Sequence, residues 1–144
     1  MYSGRIVGYS IADRMKSRLA VDALNSAVAR RGGVNVVAGC IVHSVRGSQF
    51  RSRRFQAELR HHDLVGSMGQ VASAGDNAAM ESFFALLQKN VLARRRWITR
   101  QQLRIAIVTW IERTYHRRRR QARLGRLTPV EYETVNAPQV ALAA

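Results

Sequence analysis

Cysteine is nearly absent from this chain of 144 residues: Cys40 stands alone. One thiol excludes an internal disulfide, and it cannot build a zinc site from paired cysteines. No apolar run approaches the roughly 18 residues that a membrane-spanning helix needs, so no membrane partner is expected. The opening residues, Met1-Tyr2-Ser3-Gly4-Arg5, lack the basic-then-apolar order of a signal peptide. Cys40 lies in an apolar run and reads as a buried thiol in a reducing compartment. A cytoplasmic protein is expected, nucleoid-associated when bound to DNA. Phosphate-cradling loops are missing as well. There is no Walker motif, Gly32-Gly33 lacks the dinucleotide spacing, and Ser44 and Ser48 lack a nucleophile-elbow context. No small-molecule substrate is expected.

Acids are scarce too. Nine carboxylates face 24 basic residues, for a formal net charge of +15. Among the basic residues only Lys16 and Lys89 are lysine. Such an excess attracts a polyanion, and the planar arginine fork donates two hydrogen bonds to one phosphate. The arginines gather in three places. Arg51, Arg53 and Arg54 follow a polar loop, Arg94, Arg95 and Arg96 precede Trp97, and Arg117, Arg118, Arg119 and Arg120 form a run. Three clusters across one small domain point to a phosphate-backbone surface, and DNA is the expected partner.

Strand and helix signals alternate along the chain, which predicts an α/β fold. Residues 5–11 alternate, with Val7, Tyr9 and Ile11 on one face, and read as a strand. Residues 17–30 carry Ala20, Leu24, Ala27 and Val28 at helical spacing. Arg30-Arg31-Gly32-Gly33 then supplies the cations and glycine of a helix end. Residues 39–43 read as a short strand. Ser52 caps a second helix bearing Phe55 and Leu59, and Leu64-Val65 starts another strand. Residues 66–75 read as a loop. Asp76 or Asn77 caps a third helix reaching about Arg94, with Met80, Phe83, Phe84, Leu87 and Val91 as its apolar stripe. Thr99 and Gln102 have capping-box spacing and open a last helix, which runs through Leu103, Ile107, Trp110 and Ile111 to Tyr115. The arginine run 117–120 extends that helix, and Leu127-Thr128-Pro129 breaks the pattern. One domain over residues 1–133 and a disordered tail over residues 134–144 are expected.

Few residues suit chemistry. Glu81, in DNAAMESFF, lies off the apolar stripe, with Asn77 one turn before it and Lys89 two turns after. A carboxylate, an amide and a cation on one helix face could hold a metal or a phosphate, although a lone helix carboxylate is more often a solvated surface group. His61-His62 near a helix end reads as a polar cap, and His43 sits where a strand meets the loop VHSVRGSQF. That loop raises a question. The step from strand to loop is where α/β proteins place acids and hydroxyls, yet Val45 is aliphatic.

Four stretches together resemble the catalytic core of bacterial insertion-sequence transposases, relatives of retroviral integrases with an RNase H-like fold. They are YSGRIVGYSIADRM, VHSVRGSQF, DNAAMESFF and YHRRRRQARLGRLTPVEYE, and they span almost the whole chain. The resemblance implies three carboxylates, Asp, Asp and Glu, that hold two Mg2+ ions for DNA cleavage and strand transfer. Thirty-five residues separate the second from the third. The third matches Glu81, and counting back across thirty-five positions reaches Val45. The family loop reads histidine, serine, aspartate, arginine, glycine, serine, glutamine, and this chain departs only at the aspartate. Val45 thus occupies the position of a lost metal ligand. Gln88 stands where the family often has a lysine, with Lys89 one position on.

The resemblance also puts the first catalytic Asp and the first two strands upstream of the matched segment. The chain is therefore expected to be an RNase H-like integrase core truncated at its N-terminus, with a basic C-terminal helix. Glu81 would be the surviving catalytic and metal-ligating residue. Arg46, Asn77 and Lys89 would contact DNA beside it, together with Arg94, Arg95, Arg96 and the run from Arg117 to Arg120. On this reading Mg2+ binding is lost and the protein is a catalytically defective transposase relative that still binds DNA. The alternative is a non-enzymatic, basic DNA-binding or interaction protein that interferes with intact transposases. Self-association or association with an intact transposase is the further partner expectation.

Overall fold

The computed structural model describes residues 2–68 and 78–142. Asp76, Asn77 and most of the expected loop 66–75 lie outside the described residues. The described residues gather into two compact units, Val7–Phe83 and, separately, Met1–Ile6 with Phe84–Ala144. The sequence shows no boundary of composition at Phe83, because the division falls inside a helix.

In the Val7–Phe83 unit, helix α1 spans Ser17–Arg30. Its end is a two-bond glycine cap. The Gly33 N–H donates to the Val28 carbonyl at 3.0 Å and the Gly32 N–H to Ala29 at 3.3 Å, with Gly32 at φ +99°. The one-turn helix α2, Val34–Val37, leads to strand β1, Ile41–Ser44. Helices α3, Ser48–Arg51, and α4, Arg53–His61, then cross to strand β2, Val65–Met68. The two strands run parallel, with Ile41 opposite Val65 and Ser44 opposite Met68. A parallel pair requires such a crossover, and here two helices supply it.

Two strands alone are marginal in water, and helices must cover at least one face. Val21 and Leu24 of α1 and Phe55 and Leu59 of α4 form the buried core, with Val42, Phe50 and Leu64 packed against it. Opposite Val42 stands Gly66, where a side chain would press on Leu59. The other face is uncovered by the described residues: Ile41 is 70% exposed and Val65 53%. An apolar run therefore does not mean full burial here. Cys40, expected inside, is exposed, because it precedes the first paired residue of a sheet covered on one side only.

Residues 5–11 have no regular secondary structure and join no sheet among the described residues. Alternation signals a pleated conformation, and a strand also needs a partner. This segment packs on a helix instead. Gly8 lies against the backbone of Ala23 and Ala27 in α1. Tyr9 receives a 2.9 Å hydrogen bond from Arg30, whose guanidinium also sits 4.8 Å from the ring centroid.

Helix α5 spans Ala78–Asn90, followed by a 3-10 turn over Leu92–Arg94. On its apolar stripe Phe83, Leu87 and Val91 are buried, whereas Met80 and Phe84 are exposed. In the Phe84–Ala144 unit, α6 runs over Arg100–Thr109, and the Thr99 hydroxyl accepts the Gln102 N–H at 3.2 Å. The helix then widens into a π turn over Trp110–Tyr115. Bonding to the fifth residue back stacks residues five apart, and Trp110 and Tyr115 meet with ring centroids 5.6 Å apart. The arginine run, expected as helix, leaves that helix: residues 119 and 120 are irregular.

Pro129 opens a further helix, α7, over Pro129–Leu142. Its residues 134–142 fall in the segment expected to be a disordered tail. Thr128 and Glu131 make a reciprocal capping box. The Thr128 N–H donates to Glu131 Oε2 at 2.9 Å, and the Glu131 N–H donates to Thr128 Oγ1 at 3.2 Å. Proline at the first helical position lacks only a hydrogen that would have no helical partner. The unit is closed by its N-terminal segment. Ser3 and Arg5 donate to the Glu133 carboxylate at 2.7 and 2.8 Å. The Ile6 N–H donates to Nε2 of the buried His116 at 3.0 Å.

Candidate functional site

The VHSVRGSQF loop is built by local hydrogen bonds. Ser44 ends β1, Val45 and Arg46 follow, and Gly47 precedes α3. The Gln49 side chain folds over Gly47, where a Cβ would collide with its amide. Ser52 closes the loop: its hydroxyl donates to the Gln49 carbonyl at 2.8 Å and accepts the Phe55 N–H at 3.2 Å. Gln56 Nε2 donates to the Phe50 carbonyl at 2.8 Å. Such closure fixes the residues after β1 in one conformation. Val45, 47% exposed, is presented to solvent from this loop beside the exposed Arg46. His43, earlier on the strand, pairs through Nδ1 with Ser67 Oγ at 3.2 Å on β2.

Glu81 lies in the first turn of α5 and is exposed, and Lys89 is exposed in the last turn. Asn77 is outside the described residues. Arg94, Arg95 and Arg96 are exposed after α5, with the Arg95 guanidinium 4.4 Å from the Trp97 ring centroid. Arg117, Arg118 and Arg119 are exposed where the π turn ends. Arg120 differs from them. It reaches Glu131 of α7 at 3.4 Å and the Arg126 carbonyl at 3.1 Å. The Glu131 carboxyl is held below its ordinary value, first by the Thr128 backbone N–H.

Two magnesium ions would bring four positive charges, and hard cations require several anionic oxygens at near-octahedral positions. The matched positions of this chain do not fit that demand. Val45 offers only a hydrocarbon, and Glu81 is a single carboxylate. Among the described residues no group of three His, Cys, Asp or Glu is placed to hold a metal. The arginines, by contrast, suit phosphate oxygens without any metal.

Comparison with known proteins settles the fold family. Residues 1–74 match a family described as Integrase core domain, and residues 62–129 match a second family of the same description. The chain belongs to the integrase core domain family. This integrase core is 38% identical over 136 residues to transposase InsF for insertion sequence IS3A of Escherichia coli. That alignment covers 94% of this chain and 46% of InsF. The transposase for insertion sequence element IS629 of Shigella sonnei is 34% identical over 134 residues, 92% of this chain and 43% of the relative. The chain thus spans less than half the length of these relatives, and it is a transposase-family protein. A chain in the cryo-EM structure of the simian T-cell lymphotropic virus intasome, in complex with PP2A regulatory subunit B56 gamma, shares the fold. Its TM-score is 0.62 at 15% identity, over 84% of this chain and 41% of that one. No helix among the described residues is long and apolar enough to cross a membrane.

In the sequence Trp97 marks only the end of an arginine cluster; in the structure it lines a cavity with residues of α6. The signal was present in RRRWITRQQ, an aromatic residue directly after three arginines.

Proposed function

We propose that this integrase core binds DNA through its arginines and does not by itself cleave or join it. The observation that carries this reading is Val45, an aliphatic side chain on a hydrogen-bonded loop where the family's loop has its aspartate. Metal-assisted phosphoryl transfer needs a charge clamp on both the attacking and the leaving oxygen. Glu81 supplies one carboxylate toward such a clamp. Losing metal stabilisation of several kcal/mol slows the reaction by roughly a thousandfold or more. What remains is the positive surface. Arg46, Arg94, Arg95, Arg96, Arg117, Arg118 and Arg119 are all exposed, which supports phosphate contact without base readout.

The test is supercoiled plasmid incubated with the protein and Mg2+ or Mn2+, beside retention of labelled duplex on a gel. The expected result is retention without nicking. Nicking that requires metal and disappears in Glu81→Ala would overturn the proposal.

A further inference from the structure

A cavity of about 450 Å3 lies in the Phe84–Ala144 unit, between the end of α5 and one face of α6. Gln102, Ile105, Ala106 and Thr109 line it from α6, at the spacing of residues that share a helix face. Ala106, small between Gln102 and Trp110, leaves the hollow. Trp97 and Trp110 are its aromatic lining residues, and Arg94 and Arg95 line it as well. The Arg95 guanidinium over the Trp97 ring holds that indole in one orientation. Trp97 Nε1 is sealed from solvent and has no hydrogen-bond partner among the described residues. A buried donor without an acceptor is unfavourable and calls for an explanation.

From this we infer that the cavity receives one unpaired nucleotide of a DNA strand, its base against the tryptophan walls and its phosphate on Arg94 and Arg95. The inference rests on the DNA-binding reading above and names what that surface does beyond holding a duplex. The arguments are shape, chemistry and charge. Duplex DNA is a convex rod with its bases stacked inside, so a concave pocket of this size can admit only a base that has left the stack. Aromatic walls stack with any base, because every base has a π-face. Two arginines at the cavity, on a chain of net charge +15, favour an anionic ligand over a neutral or cationic one. An exposed Ile98, 88% accessible beside Trp97, leaves the approach open.

The experiment compares a blunt duplex with a duplex bearing a three-nucleotide overhang, matched in number of phosphates, against the full chain. The overhang carries 2-aminopurine as a stacking reporter. The expected result is about tenfold tighter binding of the overhang duplex, within the range of one stacked base, with quenching of the reporter. Thr109→Trp, which fills the cavity without changing charge, should abolish both the preference and the quenching while leaving blunt-duplex affinity unchanged. Trp97→Ala should do the same, and Trp97→Phe should keep most of the preference because a ring remains. Melting curves establish that each variant folds, and Thr109→Trp decides the matter if Trp97→Ala does not. Equal binding of both duplexes, or a preference that survives Thr109→Trp, overturns the pocket and leaves the DNA reading standing. Failure to bind either duplex overturns both.

Discussion

Gly8 shows how one residue redirects a segment. Residues 5–11 have the alternation of a strand, yet at Gly8 the chain touches the backbone of α1 at Ala23 and Ala27, which no side chain could allow. The absent Cβ is what lets this segment lie on a helix, and Arg30 with Tyr9 then fixes it there. Gly8→Ala should therefore destabilise the Val7–Phe83 unit by about 1–3 kcal/mol, the usual cost of forcing atoms into a packed contact. Urea denaturation followed by circular dichroism checks this, and a midpoint equal to the parent's would mean that the packing there is not tight. Val45 is the opposite case. Half-exposed on a loop closed by Gln49 and Ser52, it can change with little effect on packing, so its identity bears on chemistry rather than stability.

Helix ends carry the second scale. At α7, Thr128, Pro129 and Glu131 combine a reciprocal cap with a proline in the one helical place that tolerates it. The Thr128 N–H and, to a smaller degree, Arg120 hold the Glu131 carboxyl below its ordinary value. A carboxyl depressed in the folded state stabilises that state above the pH at which the unfolded chain protonates. That contribution fades as pH falls and is gone once the folded carboxyl is itself protonated. Glu131→Gln should thus lower the melting temperature at neutral pH and show a shallower loss on acidification than the parent. Parallel profiles would show that the cap does not depend on charge. Elements of this local kind were legible in the sequence: α1 matched its expected bounds, and the caps at Ser52 and Thr99 form as their spacing implies. The capping box at Thr128 was legible too but was hidden by Pro129, which reads as a breaker. What could not be read depends on distant partners. Strand pairing and the exposure of Cys40 each answer to residues far along the chain, and no local pattern encodes them. In the site, the loss of an acid at Val45 is what the family resemblance implies, whereas the cavity lined by Trp97 depends on residues of α6 that no local pattern brings to it.

Across the whole molecule, charge dominates. A formal +15 on 144 residues repels itself in the folded state and is tolerated because arginines stay solvated or meet an anion. Each phosphate that such a surface neutralises releases counterions, so affinity for duplex DNA should fall steeply with salt. The run at residues 117–120 tests how that charge is divided. By sequence its four arginines are equivalent; in the structure they are not. Arg117, Arg118 and Arg119 are exposed beyond the π turn, while Arg120 directs its donors to Glu131 and to the Arg126 carbonyl. Replacing Arg117, Arg118 and Arg119 together with alanine should flatten the slope of log affinity against log salt by about 3 units, near 0.9 for each phosphate no longer neutralised. Arg120→Ala alone should leave the slope nearly unchanged and instead loosen the N-terminal turn of α7, where hydrogen exchange would report it. Fluorescence anisotropy of a labelled duplex across a salt series gives both slopes. If Arg120→Ala flattens the slope as much as any of the other three, its bond to Glu131 yields to phosphate, and the run acts as one undivided surface.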